Sequence, residues 1–271
     1  GDSSMIHQMF VAKSGMFAYQ RSMQLITNNI SNSQTLGFKG SKVEMESLFP
    51  LILERTLTEF EESNTSTVSK RRKYITYGTG VRIADVKKDF SQGTIEITNQ
   101  PLDMAIEGQG LFQVRLPDGT MGYTRAGNFH QDQEGNILDP NGHPLEPSIR
   151  VPNGTTEISI DREGHFYVRL NNEPNPREVG QILLGTFHNP AGLKEIGQNL
   201  YQETESSGEV QIAAAGQENV GAIKQRSLEF SNVNIVEELV ALLLTQRGFE
   251  LIVKALQSGD KMMTVASDIT R

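Results

Sequence analysis

The sequence predicts an α+β protein in which paired, coiled-coil-like terminal helices enclose an inserted, mostly antiparallel β domain. Near both ends of the 271-residue chain, apolar residues recur at alternating steps of three and four, whereas the middle has a period of two and frequent turn sequences. Because both ends carry a helix-pairing stripe, we expect them to pair. The predicted domains are a helical assembly domain (residues 5–36 with 231–271), an extended connector (37–75) and a β-rich outer domain (76–230).

The N-terminal stretch carries a narrow apolar stripe with mostly polar residues between its members, as in a helix that buries one seam against another helix. We expect this helix to end near Asn32 and Ser33, which are poor helix formers. Gly37 can take the left-handed conformation at a chain reversal, and Phe38 would anchor that turn by packing. The stripe, which we predict to be an assembly interface, consists of Met9, Ala12, Met16, Tyr19, Met23, Ile26 and Ile30.

The C-terminal stretch, residues 233–271, contains no proline and carries a second stripe. Its segment 239–244 reads LVALLL and is apolar on every face, so we expect more than one partner to cover it. An isolated helix of this kind is marginal in water. Packing into further copies is therefore favoured, with a helical hairpin inside a monomer as the alternative. The predicted interface residues here are Ile235, Leu239, Leu242, Leu243, Phe249, Val253 and Leu256.

The connector contains a concentrated basic run, Lys70, Arg71, Arg72 and Lys73. A solvated surface is the simpler interpretation of this run. The alternative is an electrostatic contact with an acidic neighbouring subunit or with an anionic cell-wall polymer. The sequence leaves both open. A short helical turn is expected within the connector at residues 54–62.

The period changes to two from about residue 76, where Val81, Ile83 and Val86 suggest a strand. Residues 117–120 read PDGT, a strong turn sequence between two alternating segments. Further turns are expected at residues 132–136, 140–142, 152–154 and 161–164. Short strands separated by so many turns predict an all-β domain in this part of the chain.

Composition and motifs argue against catalysis. The chain has no cysteine, which excludes disulfides and thiolate metal sites, and its net charge of −8 argues against nucleic-acid binding. The sequence GQG at residues 108–110 lacks the third glycine of a dinucleotide-binding loop. None of the histidines has a partner at metal-ligand spacing: His7, His130, His143, His165 and His188. We therefore expect no enzyme activity, no cofactor and no metal site.

No membrane insertion is expected, because no run of about 18 apolar residues exists. The N-terminus also lacks the basic region and the apolar core of a cleaved signal peptide. Composition alone would suit a cytoplasmic protein.

Four blocks of the sequence resemble the bacterial flagellar basal-body rod protein family, and its distal rod members most closely. The blocks are SGM…Q…NNI.N..T.GFK (14–39), PLDMAIEGQGLFQVRLPDGTMGYTRAGNF (101–129), VGQILLGTF.NPAGL…G.NLY.ET..SG (179–208) and SNVN.VEELV…..QR.FE…KA (231–255). They run nearly end to end in the family's order. Two departures are that residues 1–4 precede Met5, where members begin, and that Ile252 stands where the family often has Asn.

The resemblance implies a structural subunit of the flagellar distal rod, the helical drive shaft that passes torque from motor to hook. It implies a homopolymer whose helices form an inner tube, with the proximal rod, the hook and the surrounding ring proteins as further partners. It also implies a basal-body, periplasm-spanning location, reached through the flagellum's own type III export apparatus without a cleaved signal peptide. The length of the connector favours a distal rod member over its proximal relatives.

Other interpretations stay open. Within the family, the chain could be a proximal rod or hook-type axial protein. From another class, it could be a secreted β-domain adhesin or carbohydrate-binding module oligomerised by its terminal helices, although no aromatic cluster supports a ligand patch. A peptidoglycan-cleaving enzyme would need a pair of catalytic carboxylates, and the sequence singles out no such pair.

Overall fold

The computed structural model describes residues 2–48, 51–58, 70–171, 175–217 and 219–269, with the backbone alone at 2–8, 51–58, 70–77, 260 and 262–269. Two long helices, α1 (Asp2–Ser31) and α2 (Ile235–Ile269), lie at the ends of the described chain. The segment between them contains short strands and a short 3-10 helix (Pro190–Gly192). The α+β class predicted from the sequence is therefore confirmed. No helix within the described ranges is long and apolar enough to cross a membrane.

The strands, numbered in chain order, are β1 (Ser41–Ser47), β2 (Leu51–Thr58), β3 (Lys70–Tyr77), β4 (Val81–Lys88), β5 (Ile95–Ile97), β6 (Met104–Glu107), β7 (Leu111–Arg115), β8 (Met121–Thr124), β9 (His130–Gln131), β10 (Ile137–Leu138), β11 (Leu145–Glu146), β12 (Thr155–Ile160), β13 (His165–Leu170), β14 (Arg177–Gln181), β15 (Leu183–Thr186), β16 (Lys194–Gly197), β17 (Leu200–Gln202), β18 (Gln211–Ala214), β19 (Ala222–Gln225) and β20 (Ser227–Glu229).

Side chains mark the end of one helix and the beginning of the other. After α1, the amide of Asn32 donates to Asn28 O at 2.9 Å and the hydroxyl of Ser33 to Ile30 O at 2.8 Å, which satisfies carbonyls that the helix leaves free. Before α2, Asn234 Oδ1 accepts the N–H of Val236 at 3.1 Å as an N-cap. Acidic residues in the first turn of α2 suit the positive end of the helix dipole.

The first of two compact units comprises Gly1–Thr27, Val43–Val86 and Leu239–Arg271. It holds most of both helices and the antiparallel pair β2–β3, in which Leu51 pairs with Tyr77 and Thr58 with Lys70. Strand β1 pairs with β4. An exposed ion pair joins these two strands, with 2.8 Å between Arg82 Nη2 and Glu46 Oε2.

The second unit comprises Asn28–Lys42 and Lys87–Glu238. Its largest sheet has the order β16-β17-β8-β7-β15-β18, with β11 also paired to β7, and a three-stranded sheet has the order β12-β13-β14. The remaining strands of this unit form the pairs β5–β20, β6–β19 and β9–β10. Fully buried side chains such as Phe112, Phe166 and Leu184 form the core, where the Phe112 and Phe129 rings meet edge to face at 5.2 Å.

Three of the predicted turns share the pattern Asp-x-x-Gly-x. In each, the aspartate Oδ1 accepts the backbone N–H groups two and four residues later, and the glycine has a positive φ. The aspartates are Asp132, Asp139 and Asp161. This local bonding is the reason that Asp and Gly identify such turns in the sequence.

One local prediction is wrong. Residues 54–58, expected to begin a helical turn, lie in β2, because pairing with β3 overrides local preference. Residues 59–62 lie outside the described part of the chain. The contacts also group residues 43–86 with the terminal helices, whereas the sequence prediction set residues 37–75 apart as a connector.

Candidate assembly surface

The two helices touch where each contributes a glycine. A methyl group added to Gly15 of α1 would lie 2.9 Å from Ile252 Cδ1, and one added to Gly248 of α2 would lie 2.7 Å from Tyr19 Cζ. Four residues forward along α1, from Gly15 to Tyr19, correspond to four residues backward along α2, from Ile252 to Gly248. The helices therefore run antiparallel at this contact, and the missing Cβ atoms allow close approach.

Small residues form the buried stripe of α1. Gly15, Ala18 and Ser22 are buried, and the Ser22 hydroxyl donates to Ala18 O at 3.0 Å. The predicted interface residues lie mostly one position farther along the chain and flank this stripe. Six of them are half-buried (Ala12, Met16, Tyr19, Met23, Ile26 and Ile30), and Met9 is exposed.

The predicted interface residues of α2 divide into two groups. Four of them are half-buried: Leu242, Phe249, Val253 and Leu256. The others, Ile235, Leu239 and Leu243, are exposed. Within a single chain, part of the apolar surface of α2 is therefore left exposed.

An apolar face of α2 is open to solvent. Val240, Leu243, Leu244 and Leu251 are 52%, 57%, 66% and 66% exposed, and their spacing puts them on one side of the helix. On α1, Phe10 and Phe17 lie seven residues apart and are also exposed. A contiguous apolar surface of this kind is typical of protein–protein contacts.

Strand β4 is anchored to α1 through a serine. Ser14 Oγ donates to Val11 O at 2.7 Å and accepts the N–H of Val81 at 3.3 Å. The preceding residue, Gly80, has a φ of +106°, and a methyl group added there would lie 2.2 Å from Ser14 Oγ. Only glycine therefore fits at position 80.

The turn after α1 is held in place by contacts within unit 2. Gly37 has a φ of +65°, donates its N–H to Glu229 O at 2.8 Å, and would clash with Ala126 N if it carried a Cβ. Phe38 is 3% exposed, and Lys88 Nζ lies 4.7 Å from its ring centroid. These contacts require glycine at position 37.

Directly after this turn lies a buried cluster of three charged residues. Glu229 Oε1 is 2.7 Å from Lys39 Nζ, and its Oε2 accepts from Arg125 Nε. The Arg125 guanidinium also donates to the carbonyls of Ile106, Gly108 and Gly110. Since all three side chains are at most 5% exposed, this bonding is what makes their burial tolerable.

Within this cluster, the pKa values of Glu229 and Lys39 both lie below their ordinary values. Burial opposes the charge on Glu229, but Arg125 and Lys39 outweigh it, so the pKa of the carboxyl lies below its ordinary value. Burial also lowers the pKa of Lys39, and Glu229 only partly offsets this. Two cations around one carboxylate therefore favour the anion of Glu229, while burial disfavours the charge on Lys39.

The predicted basic run, Lys70 to Lys73, lies in β3, paired with the end of β2. Its side chains are outside the described atoms, so its electrostatic role stays a prediction.

One histidine lies among carboxylates. Ligand atoms of Asp161, Glu163 and His165 all lie within 4.8 Å of one another. His165 Nδ1 is 2.8 Å from Glu178 Oε1, and this hydrogen bond raises the pKa of the imidazole. The same Asp161 accepts the turn's N–H groups. The group therefore has a structural explanation in the turn, and we assign no metal to it.

Sequence reasoning missed the residues at the closest contacts. Gly15 and Gly248 interrupt apolar stripes and were not included in them, although a glycine inside a helical pattern is itself a signal of close packing. Lys39, Arg125 and Glu229 had no local signal at all. Their partners lie 104 and 190 residues away in sequence.

Comparisons with known proteins agree with the resemblance seen in the sequence. Residues 105–168 match the family described as flagellar hook protein FlgE/F/G D1 domain, and residues 224–269 match flagellar basal body rod FlgEFG protein, C-terminal. The flagellar basal-body rod protein FlgG of Caulobacter vibrioides is 37% identical over 258 residues, which cover 95% of this chain and 97% of that protein.

Two further relatives extend the comparison. FlgG of Borreliella burgdorferi is 37% identical over 269 residues, covering 98% of this chain and 100% of that protein. The flagellar hook-basal body complex protein FlhO of Bacillus subtilis is 29% identical over 279 residues, covering 97% and 98%.

Proposed function

This chain belongs to the flagellar basal-body rod protein FlgG family, and on that premise we propose that it is a structural subunit of the flagellar distal rod, polymerising into the drive shaft between motor and hook. The family consists of structural proteins and not of enzymes. Its function is therefore assembly, and its location is the flagellar basal body.

The proposed assembly element is a coiled-coil-like pair formed by α1 and α2. The contacts of Gly15 with Ile252 and of Gly248 with Tyr19 support this pairing. The half-buried residues on both helices have the expected three-and-four spacing. Small residues at the contact would give the pair a narrow cross-section, which suits close packing of many helices around an axis.

The single observation that best supports polymerisation is the exposed apolar face of α2. Leu243, Leu244 and Leu251 are more than half exposed while α1 occupies another side of the same helix. A repeated contact between identical subunits that does not close on itself yields a helical filament. We propose that this face packs on neighbouring copies in an inner tube, with the β-rich part of each copy outside it.

Further partners and the route of export follow from the same proposal. The ends of the polymer would contact proximal rod and hook proteins, and ring proteins would surround it. The rod would span the periplasm, with subunits exported through the type III apparatus of the flagellum. Among the alternatives, a proximal rod or hook-type protein would occupy a different position along the axis. The adhesin is disfavoured by similarity to rod proteins along nearly the whole chain.

The proposal is tested by deleting the gene and imaging the remaining basal bodies by electron microscopy. We expect shortened rods without hooks, restored by the wild-type gene. Immunogold labelling of a tagged chain should mark the distal part of the rod. Normal hooks and filaments in the deletion strain would contradict the proposal, and labelling at the proximal rod or along the hook would favour the other axial positions.

A further inference from the structure

A cavity of about 470 Å³ lies beside the buried charge cluster in unit 2. Three cationic residues line it: Lys39, Lys88 and Arg125. Among its described lining residues there is no Asp or Glu. A wall with one sign of charge in a partly enclosed site concentrates the electrostatic field and attracts the opposite charge.

The carboxylates around this cavity do not balance its cations. Glu229 bonds to both Lys39 and Arg125, and Glu195 Oε2 lies 2.9 Å from Lys88 Nζ. Three cations and two carboxylates leave one positive charge.

Each of the three cationic side chains has one more N–H donor than its described hydrogen bonds use. A lysine has three N–H donors and an arginine five. Lys39 uses two, on Ser91 O and Glu229; Lys88 uses two, on Glu195 and Lys39 O; Arg125 uses four. Lys88 is the least buried of the three, with 13% of its side chain exposed, so a further anionic oxygen would reach the unused N–H of Lys88 first.

The rest of the lining is suited to an apolar stem. Phe90, Leu111 and Phe187 form part of the wall, and the latter two belong to a hydrophobic cluster that Phe90 packs against. The volume is far too small for a helix or a strand but ample for one side chain. Cations beside apolar walls match the two halves of a glutamate or aspartate side chain, a carboxylate and its methylene stem.

We propose that this cavity receives the carboxylate of a Glu or Asp side chain from an adjacent copy of this chain. The inference deepens the proposed function and rests on it, because an identical subunit is in lasting contact with each copy only in a polymer. Charge complementarity favours the same occupant: the chain has 33 acidic and 25 basic residues, so an identical copy presents an excess of carboxylates to a cavity with excess positive charge.

The first test measures the chemistry of the cavity in the unpolymerised full chain. N-acetyl-L-glutamate is titrated while the backbone amide signals of Gly110 and Leu111 are followed by NMR, with N-acetyl-L-glutamine as the neutral isostere. We expect saturable shifts at millimolar glutamate derivative and none with the glutamine derivative. Equal shifts with both probes, or none with either, would overturn the proposal.

Charge variants make this test specific. Lys88→Met should weaken binding of the glutamate derivative about tenfold, since a hydrogen bond to a charged group is lost. Arg169→Met removes the same charge from an exposed ion pair with Glu157 on a different sheet and should leave binding unchanged. Lys88→Gln, which stays polar, serves as a second variant, and thermal unfolding of each variant shows whether it is folded. Equal weakening by Arg169→Met would contradict a specific site.

The second test identifies the occupant. Rods carrying Lys88→Met are expected to dissociate at lower NaCl concentration than rods carrying Arg169→Met. If the probe binds but the two kinds of rod dissociate alike, the cavity takes free carboxylates and the neighbouring-copy proposal is wrong. If wild-type rods lack this protein, the proposed function fails, whereas the NMR result on the cavity is unaffected.

Discussion

Gly15 of α1 and Ile252 of α2 pack directly against each other, so closely that a methyl group on Gly15 would lie 2.9 Å from Ile252 Cδ1. Ile252 occupies a position at which the resemblance to rod proteins led us to expect Asn. An apolar residue here faces the buried small stripe of α1, where an Asn side chain would need a hydrogen-bond partner. The helix contact of this chain is accordingly apolar at this point.

The two glycines of α2 should respond oppositely to alanine. A methyl group at Gly248 would lie 2.7 Å from the Tyr19 ring, whereas one at Gly259 meets no atom within 4 Å. Gly259→Ala should raise helix stability by about 0.5–1 kcal/mol. Gly248→Ala should lower it by about 1 kcal/mol, because overpacking outweighs the same gain. Urea unfolding followed by far-UV circular dichroism of each variant provides the comparison, and stabilisation by both substitutions would argue against helix contact at Tyr19.

Leu243→Asp should separate assembly from folding. Leu243 is 57% exposed in the single chain, so the substitution should change the free energy of unfolding by less than about 0.5 kcal/mol. The same carboxylate would be buried without a partner in a packed polymer and should prevent rod formation.

Sedimentation velocity of the purified chain and electron microscopy of complemented deletion cells would measure whether Leu243→Asp still forms polymers and rods. Gln246→Asp, an exposed substitution of the same charge on the same helix, is the matched control and should build rods. Leu242→Asp, at a half-buried position, should also abolish polymer while leaving the β domain folded. Normal rods from Leu243→Asp would exclude this face from the interface.

Glu229→Gln should be strongly destabilising. It would leave Lys39 and Arg125 buried without their shared counter-charge, and removing one partner of a buried ion pair typically costs about 3–5 kcal/mol. Glu157→Gln breaks an exposed pair with Arg169 and should cost at most about 1 kcal/mol. Denaturant unfolding of the two variants gives the comparison, and similar small losses would mean that water reaches the cluster.

Asp89 should contribute to stability only above acidic pH. The hydrogen bond from Lys42, with that from the backbone N–H of Ser91, lowers the pKa of Asp89 to about 2. Because the folded-state pKa lies below the unfolded value, the contribution is complete above about pH 4 and disappears as the pH falls toward 2.

The measurement is the difference in melting temperature between wild type and Asp89→Asn from pH 7 to pH 2. It should be constant down to about pH 4 and then shrink, since asparagine can still accept the Ser91 bond. A difference that does not change with pH would show that the carboxylate charge is irrelevant.

The helices and turns were predictable because their signals are local. A three-and-four apolar spacing predicts a helix wherever it occurs, and the predicted end near Asn32 agrees with a helix that stops at Ser31. The turns beginning at Asp132 and Asp161 are built by residues within five positions of one another. Residues 54–58 were mispredicted because a strand needs its partner, and that partner is β3.

The interior of the helix contact was less predictable. The apolar stripe predicts a paired helix face, and in the structure large residues such as Met16 and Met23 are half-buried beside the buried Gly15 and Ser22. Which side of an apolar stripe is closest to a partner depends on the rotation of the partner. Periodicity in a single helix carries no information about that rotation.

The sequence by itself determined the class of the fold, the two terminal helices, the turns of the β region and the family, since all of these depend on residue types at short, fixed spacings. Only the tertiary structure decided that Lys39, Arg125 and Glu229 share one buried site, that two glycines set the helix contact, and that a cationic cavity lies beside Phe90. Charges distant in sequence interact through space, and their burial and pKa values arise only when folding removes the water between them.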